Sequence, residues 1–557
     1  MDFRDKSSYS LNSKVLTILV LAILIVVNFL SLKFFVRFDW TKGDQYSISD
    51  STKDLLTGLD DLISVKAYFS DDLPPQLLPV KQYVRDILSE YEAYSDGNFR
   101  YEFVDPALDL KAAQEAQQIG VQQVRMQVRE NDSFQVRNGY LGLGIFYEGK
   151  TEAIPVIQEQ DAANLEYDLT SLIIKLTQPK LHAVAFLSGH GEHGIGPGVQ
   201  VPGRPTADDY TAVGQFLRKN YEVKTVDFSQ QQNLEGIDVL VVAGPKRDLT
   251  EREIFEIDQF LLQGGKAIFL VDGIEQLENG INLQVLDVNA KTVLAPLGLT
   301  VESDLLLDTL SELANFSEGP GRFYFLQYPP FIRFVSQNFS SNPIVAKIPS
   351  FVGRFVSSIS ISEVDGLIYD RIVNSSPSSW AQTYPFQVNP TSMPQPTPEQ
   401  GGEKPVMVSV KGLLPRISTA TSVPALQQWV KKADSEEYEL KAVAGDKNRS
   451  GREIVEQAQA ESQVILFSDS HFVIDQAIGD DQAPLVLFLN AVDSLVLGDT
   501  LIGIRSKSIG SAAMQELDQT QKSVMRYLGI FLVPVLVTGY GLVRLWLRRK
   551  EEKMLKV

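Results

Sequence analysis

Between residues 180 and 273, short apolar strands alternate with amphipathic helices, and this alternation constrains the fold more than any other feature of the chain. The predicted elements are, in order, strand 182–187, helix 208–220, strand 221–228, strand 236–244, helix 250–262 and strand 266–272. In the second helix, Thr250 is followed three residues later by Glu253, the spacing of a capping box. Alternation of this kind forms right-handed βαβ units with a parallel sheet. We therefore expect a flavodoxin-like α/β domain.

Polar side chains follow two of the predicted strands at the points where the strands end. The first strand runs into SGHGEHG at residues 188–194, and the apolar run 462–467, assigned to the same sheet, ends in SDSH. The carboxyl ends of parallel strands are where ligands bind in open α/β sheets, and zinc takes imidazole and carboxylate ligands. The candidate ligand or metal residues are His190, Glu192, His193, Asp469 and His471. Polar contacts that merely order these loops are the alternative.

Composition excludes several classes of function. The chain has 557 residues, enough for two or three domains, and a formal net charge of −19, which argues against a nucleic-acid partner. It contains no cysteine, which removes disulfides, thiol catalysis and cysteine-ligated metal. We predict no catalytic residue, no cofactor and no direct nucleotide binding.

The segment 41–178 is predicted to form a separate domain ahead of the parallel sheet. Its order of elements is β-α-β-α-β-β-α, and the last two strands, 141–147 and 151–157, form a hairpin around Glu148, Gly149 and Lys150. This order is typical of thioredoxin-like folds. Without cysteine the redox chemistry of such folds is absent, so a scaffold or interaction role is expected for this domain.

The flavodoxin-like domain is predicted to span residues 180–510 with an inserted segment at about 281–460. The insertion follows from assigning strand 462–467 and helix 484–497 back to the central sheet. Within it, residues 315–341 are rich in Phe and Tyr. Two interpretations stay open for this stretch, namely packing between domains and an exposed apolar patch for a partner.

Each end of the chain carries an apolar stretch of nearly membrane-spanning length. We predict transmembrane helices at 15–36 and 527–547, with a linker helix at 511–526 before the second. The short tails, 1–14 and 548–557, are basic, and basic tails stay in the cytoplasm. The sequence therefore predicts a bacterial inner-membrane protein with both termini cytoplasmic and the bulk of the chain periplasmic.

Motifs along almost the whole chain resemble a known family. They are RFDWT at 37–41, YSIS at 46–49, FVDP at 103–106, YDLTS at 167–171, FLSGHGE at 186–192, FSDSHF at 467–472 and LGDTLIGIRSK at 497–507. In this order they resemble the auxiliary membrane component of gliding-motility-type ABC transporters. The family usually has a GDSDF-like run where this chain has FSDSHF, a departure that falls on the loop holding Asp469 and His471.

The resemblance implies partners and a role that the residues alone do not specify. It implies an ABC permease, a separate cytoplasmic ATPase, contact with membrane lipid and a non-enzymatic accessory role outside the membrane, linked to gliding or surface export. Two alternatives stay open. One is a membrane-anchored metal-dependent hydrolase using the loops of His190, His193 and His471, and the other is a scaffold or sensor without a transporter.

Overall fold

The computed structural model describes residues 19, 48–497, 538–541 and 544, with gaps inside the long range. The gaps are 131–132, 159–164, 178–179, 197–208, 231–232, 278–281, 320–321, 346–347, 391–392, 394–400, 433–434, 436, 447–452 and 479–481. The chain divides into two units, 1–509 and 510–557. Apart from those few residues, both predicted spans, the linker helix and the two tails lie outside the described residues. Within the described part, no helix has the length and apolar character that a bilayer crossing requires.

Residues 48–177 form a mixed sheet with helices. The helices are α1 (Asp50–Thr57), α2 (Leu78–Tyr94), α3 (Leu110–Gln118) and α4 (Leu165–Thr177), and the strands are β1 (Ile63–Phe69), β2 (Phe99–Val104), β3 (Gln123–Glu130), β4 (Ser133–Tyr147) and β5 (Lys150–Ile154). The strand order is β2-β1-β4-β3, with β5 also paired to β4. β2 runs parallel to β1, whereas β4 runs antiparallel to β1, β3 and β5. The predicted hairpin is present as β4 and β5, and β3 is a further strand that was not predicted.

Residues 183–497 hold the second set of elements. Their helices are α5 (Thr211–Leu217), α6 (Glu251–Leu262), α7 (Asp475–Ile478) and α8 (Ala483–Leu497). Their strands are β6 (Ala183–Leu187), β7 (Glu222–Val226), β8 (Val239–Ala243), β9 (Lys266–Leu270), β10 (Ile274–Gln276), β11 (Leu283–Val285), β12 (Leu299–Val301), β13 (Asp304–Leu307), β14 (Ser311–Gly319), β15 (Arg322–Val335), β16 (Ser350–Arg354), β17 (Ile359–Ile361), β18 (Ile368–Asn374), β19 (Trp380–Thr383), β20 (Pro405–Gly412), β21 (Gln427–Lys431), β22 (Tyr438–Ala442) and β23 (Ser462–Phe467).

A seven-stranded sheet in the order β18-β20-β23-β9-β8-β6-β7 organises this part of the chain. The five strands from β23 to β7 are all parallel, and β20 and β18 continue the sheet antiparallel. Numbered by their order along the chain, the five parallel strands are arranged 2-1-3-4-5 across the sheet. The chain therefore passes from β6 to β7 on one side and then crosses back to β8 on the other side of β6. The predicted parallel sheet is therefore present, and β23 belongs to it as expected, with β9 as its parallel neighbour.

Both faces of the parallel strands are buried because their apolar runs do not alternate with polar residues. On one face, Val184 and Phe186 of β6 pack in a cluster with side chains of α5 and α8. On the other face, Ala185 and Leu187 pack in a cluster with side chains of α6. Helices on both faces leave the ends of the strands as the place where loops can form a site.

Part of the segment predicted as an insertion joins the central sheet, since β18 and β20 come from it. β18 spans Ile368–Asn374 and pairs antiparallel with β20 at the edge of the sheet. The aromatic-rich stretch forms β14 and β15, which with β16 make a three-stranded antiparallel sheet. Its rings divide between two environments: Phe334 is buried in the core of the central sheet, whereas Phe325 is 64% exposed.

Candidate functional site

The loops that follow β6, β8, β9 and β23 meet at the carboxyl edge of the parallel sheet. Phe467 of β23 pairs with Leu270 of β9, so Asp469 and Asp272 each lie two residues beyond paired strand ends. The loop after β6 reaches the same edge, where the His193 amide donates to the Ala243 carbonyl at 2.9 Å. The register of the sheet thus brings polar side chains from distant parts of the chain to one place.

His190 lies between two carboxylates in the loop after β6. Its Nδ1 is 2.9 Å from Glu192 Oε1, and its Nε2 is 2.9 Å from Glu253 Oε2. The His190 side chain is 2% exposed, and the side chains of Glu192 and Glu253 are 2% and 4% exposed. Glu253 belongs to the predicted capping box of α6, which the structure confirms: Thr250 Oγ1 accepts from the Glu253 amide, and Glu253 Oε2 accepts from the Thr250 amide.

The electrostatics of this trio keep the imidazole charged. Burial works against the charge on His190, but its hydrogen bonds to Glu192 and Glu253 outweigh burial and raise its pKa to about 9. Burial also works against the charge on Glu192, and the contact with His190 brings the pKa of that carboxyl below its usual value. A ring with both nitrogens donating to carboxylates has no lone pair for a metal. In this arrangement, His190 and Glu192 order the loop.

His193 takes part in a different chain of contacts. Its Nε2 lies 2.9 Å from Ser470 Oγ, and Ser470 Oγ donates to Asp272 Oδ2 at 2.7 Å. Because the single hydroxyl proton of Ser470 goes to Asp272, the His193 Nε2–H is the donor to Ser470 Oγ. Ser470 is fully buried, and a serine that donates to a carboxylate and accepts from a histidine is not an activated nucleophile.

Tyr210 fixes the position of the His193 ring from the other side. The two rings stack with centroids 4.8 Å apart and planes 8° apart. The Tyr210 hydroxyl donates to the Ser470 carbonyl, and burial raises the pKa of that hydroxyl well above its usual range. Tyr210 precedes α5, which begins at Thr211, three residues later than the predicted helix start at 208. The loop after β6, the start of α5 and the loop after β23 are therefore held together by stacking and hydrogen bonds.

Asp272, Asp469 and His471 form the third group at this edge. Asp272 Oδ2 accepts from Lys246 Nζ at 2.6 Å, and Asp272 Oδ1 lies 3.5 Å from His471 Nδ1. Burial works against the charge on Asp272, but Lys246 and His471 hold the pKa of that carboxyl well below its usual range. Burial raises the pKa of Asp469 to about 6. Burial opposes the charge on His471, and the nearby Asp272 carboxylate nevertheless raises its pKa.

The five candidate residues therefore separate into groups. Asp469 and His471 lie together with Asp272, and the ligand atoms of these three are all within 4.8 Å of one another. His193 reaches Asp272 through Ser470, whereas His190 and Glu192 pair with Glu253. Asp272 was not among the candidate residues because it is the last residue of the predicted strand 266–272 and was therefore assigned to the strand. Its signal was present: it is a carboxylate at the carboxyl end of a strand.

The loop after β6 also carries the glycine spacing of a dinucleotide-binding loop, GxGxxG at residues 189–194. In such loops free backbone N–H groups and a helix start hold a phosphate. Here the Glu192 carboxylate accepts from the His190 amide at 2.7 Å, and the Gly194 amide donates to Asp209 at 3.0 Å. Carboxylates of the protein therefore occupy the amides that a phosphate would use. The following helix, α5, begins only at Thr211, so its start does not directly follow the glycine loop.

A second stretch, GIFYEGKT at residues 144–151, matches the sequence pattern of a phosphate-binding P-loop, GxxxxGK[ST]. That motif requires a loop between a strand and a helix. The structure instead places these residues in the β4–β5 hairpin, with Glu148 and Gly149 at the turn. Lys150 Nζ donates to the Leu176 carbonyl at 2.8 Å. The predicted hairpin, rather than the P-loop, is the structure of this stretch.

A cavity of about 660 Å³ lies beside the carboxyl edge, within the β14–β15–β16 sheet and its neighbours. Aromatic rings line it, among them Phe316, Tyr328 and Phe331, together with Arg354. The backbone amide of Arg354 donates to Asp469 Oδ2 at 3.3 Å. The cavity therefore adjoins the Asp272, Asp469 and His471 group through one residue.

Comparisons with known proteins agree with the motifs. A family model described as an ABC-type uncharacterized transport system matches residues 182–496, and a model of a domain of unknown function matches residues 42–145. An uncharacterized protein of Borreliella burgdorferi is 24% identical over 245 residues, which are 43% of this chain and 45% of that protein. The match thus spans less than half of the length of that relative.

Two solved structures show weak similarity. The mmIFT52 N-terminal domain matches with a TM-score of 0.32 and 12% identity, over 56% of this chain and 97% of that domain. A polyextremophilic β-galactosidase from the Antarctic haloarchaeon Halorubrum lacusprofundi matches with a TM-score of 0.24 and 12% identity, over 60% of this chain and 33% of the enzyme. Similarity at this level carries no argument about fold or function.

Proposed function

The chain belongs to the family of ABC-type uncharacterized transport systems, and from this premise we propose that it is the non-enzymatic auxiliary subunit of an ABC transporter complex. The observation that carries the proposal is the extent of the family match. It covers more than half of the 557 residues and contains every loop of the sheet edge described above. The role is therefore assigned to the body of the chain rather than to a short motif.

The energy for transport comes, in this proposal, from a separate ATPase subunit. The two stretches that match nucleotide-binding motifs make other contacts. In the loop after β6, the Glu192 carboxylate accepts from a backbone amide that a phosphate would need, and in the hairpin Lys150 donates to a backbone carbonyl. A partner that hydrolyses ATP in the cytoplasm and a permease that carries the cargo complete the complex. A link to gliding or surface export is part of the same proposal.

An accessory rather than a catalytic role agrees with the chemistry of the sheet edge. Ser470 donates its proton to a carboxylate, and both nitrogens of His190 are committed to buried ion pairs. Neither residue has the arrangement of a nucleophile or a general base. These contacts tie loops to one another, as expected of a body that presents a fixed surface to its partners.

The membrane arrangement is the finer part of the proposal. We place transmembrane helices at 15–36 and 527–547, both tails in the cytoplasm and the body in the periplasm, on the basis of the apolar ends and the basic tails. Within the body, the parallel order 2-1-3-4-5 supports a flavodoxin-like domain. The parallel β1–β2 pair with antiparallel β4 and β5 supports a thioredoxin-like one.

Affinity capture tests the partners. The full chain, tagged at its C-terminus and extracted from its native membrane in a mild detergent, is expected to bring down a multi-span permease and an ATPase. A second tagged ABC transporter, extracted in parallel, controls for detergents that dissociate such complexes. Recovery of this chain alone, while the control complex stays intact, would overturn the proposal.

Protease protection tests the topology. Protease added to spheroplasts is expected to digest the body and to leave epitope tags at both termini intact. Lysed spheroplasts serve as the control, because there both tags must be cleaved. Loss of either tag in intact spheroplasts, with the body undigested, would place the body in the cytoplasm and contradict the arrangement.

A further inference from the structure

We propose that Asp272, Asp469 and His471 form a binding site for one divalent cation of the zinc class. Carboxylate oxygens and imidazole nitrogens are both zinc ligands, and three protein ligands leave the fourth tetrahedral position for water. This inference goes beyond the transport role and does not depend on it. It differs from a site built on His190, whose two ring nitrogens both face carboxylates, or on His193, whose Nε2 faces the Ser470 hydroxyl.

The geometry brings the three ligand atoms close enough to share an ion. They lie within 4.8 Å of one another, and ligand atoms around a tetrahedral zinc are about 3.4 Å apart for bonds of about 2.1 Å. The upper limit of 4.8 Å exceeds that spacing by about 1.4 Å. The two carboxylates are fixed by the strand register, but the His471 side chain is 38% exposed and lies on the solvent side of the pair.

The charges of the two carboxylates give independent support. Asp469 is 2% exposed, and its oxygens accept from the backbone amides of His471 and Arg354. Among the described residues, no lysine, arginine or histidine forms an ion pair with it. A buried carboxylate is costly because burial removes its hydration, and the two amide hydrogen bonds and the nearby His471 replace only part of that stabilisation. A divalent cation between Asp469 and His471 supplies that charge.

Lys246 does not occupy the same position. Its ammonium lies on Asp272 Oδ2, which also accepts from the Ser470 hydroxyl. Asp272 Oδ1, the oxygen that faces His471 Nδ1, accepts from the Ser470 amide and keeps a second lone pair for an ion. Lys246 and Ser470 thus orient the carboxylate, as partners behind metal ligands commonly do.

Zinc titration of the purified full chain in detergent tests the site. The chain is first dialysed against a chelator and then titrated with Zn²⁺ by calorimetry. We expect one equivalent to bind per chain, with affinity at least about tenfold weaker in Asp469→Asn and in His471→Gln. His182→Gln is the matched control, since this half-buried histidine lies at the opposite end of β6 and should leave the titration unchanged.

Replacement of zinc by Co²⁺ gives a second readout that folding defects do not imitate. A cobalt ion held by these residues is expected to show visible absorption, which His471→Gln removes while its melting temperature stays near that of the wild type. Absence of binding in the wild type, or binding that both ligand variants leave unchanged, would overturn the site. Partner capture does not enter either measurement, so failure here is distinct from failure of the proposed transport role.

Discussion

His190 Nε2 lies 2.9 Å from Glu253 Oε2, and this buried contact ties the loop after β6 to the first turn of α6. Glu253 thereby does two things at once, because the same Oε2 accepts from the Thr250 amide in the capping box. A residue whose spacing predicts a helix cap is also the partner of a histidine more than sixty positions earlier in the chain.

The His190 contact predicts how stability depends on pH. The folded-state pKa is raised from 6.5 to about 9, so the stabilisation is fully present below pH about 6.5 and is lost as pH rises through about 9. A shift of this size corresponds to about 3 kcal/mol. We therefore expect the melting temperature of wild type to exceed that of His190→Gln at pH 6 and the difference to shrink towards pH 9.5.

Thermal unfolding of the two proteins across this pH range measures the effect. His182→Gln removes a more exposed histidine outside the loop, whose Nδ1 lies 3.3 Å from Asp238 Oδ1, and should differ from wild type far less than His190→Gln does. A difference between wild type and His190→Gln that stays constant from pH 6 to 9.5 would show that the charge on His190 does not stabilise the loop.

Gly244 is predicted to tolerate no side chain. Its φ is +69°, and a Cβ there would lie 2.5 Å from Ser470 Oγ and 3.0 Å from His193 Cδ2. Gly244→Ala should therefore add overpacking of about 1–3 kcal/mol to a backbone cost of about 1–2 kcal/mol. Gly366→Ala is the matched control, because Gly366 has a φ of +85° and no atom within 4 Å of its added Cβ.

Melting temperatures of the two glycine variants separate the two costs. Gly366→Ala should show the backbone cost alone, and Gly244→Ala a clearly larger loss. Equal losses in both variants would mean that the packing around Ser470 and His193 relaxes freely, contrary to the fixed loops described here.

Removal of the cap on α6 is expected to weaken the helix start and the loop together. In Thr250→Ala, the amide of Glu253 loses its acceptor, which costs about 1 kcal/mol in typical helices. Thr292→Ala removes an exposed hydroxyl that donates to the Asn289 carbonyl, and it should stay within about 0.5 kcal/mol of wild type. Urea unfolding of both variants checks the contrast, and a Thr250→Ala curve matching that of Thr292→Ala would refute it.

Local signals explain which parts of the fold were predictable. Strands β6, β8, β9 and β23 are apolar runs buried on both faces, and α6 carries its capping box, so each was evident from neighbouring residues. β3 was not predicted, although Val124, Met126 and Val128 alternate with polar residues in its sequence QVRMQVRE, which is the pattern of a half-buried strand.

The candidate site was predictable only in part. The sequence places Asp469 and His471 after one strand, and their proximity to Asp272 depends on the register of β23 against β9, which no local pattern encodes. The separation of His190 from this group likewise depends on Glu253, a residue of another element. Spacing identified the loops, and packing decided which side chains face one another.

ATP hydrolysis by the complex captured through this chain tests the central claim most directly. The chain is tagged, extracted from its native membrane in a mild detergent and assayed on the affinity resin. We predict ATPase activity in the captured material, lost when the Walker A lysine of the partner ATPase is replaced by alanine and unchanged in Lys150→Ala of this chain. Captured material without ATPase activity, obtained while a control ABC complex stays active, would contradict the assignment as a transporter subunit.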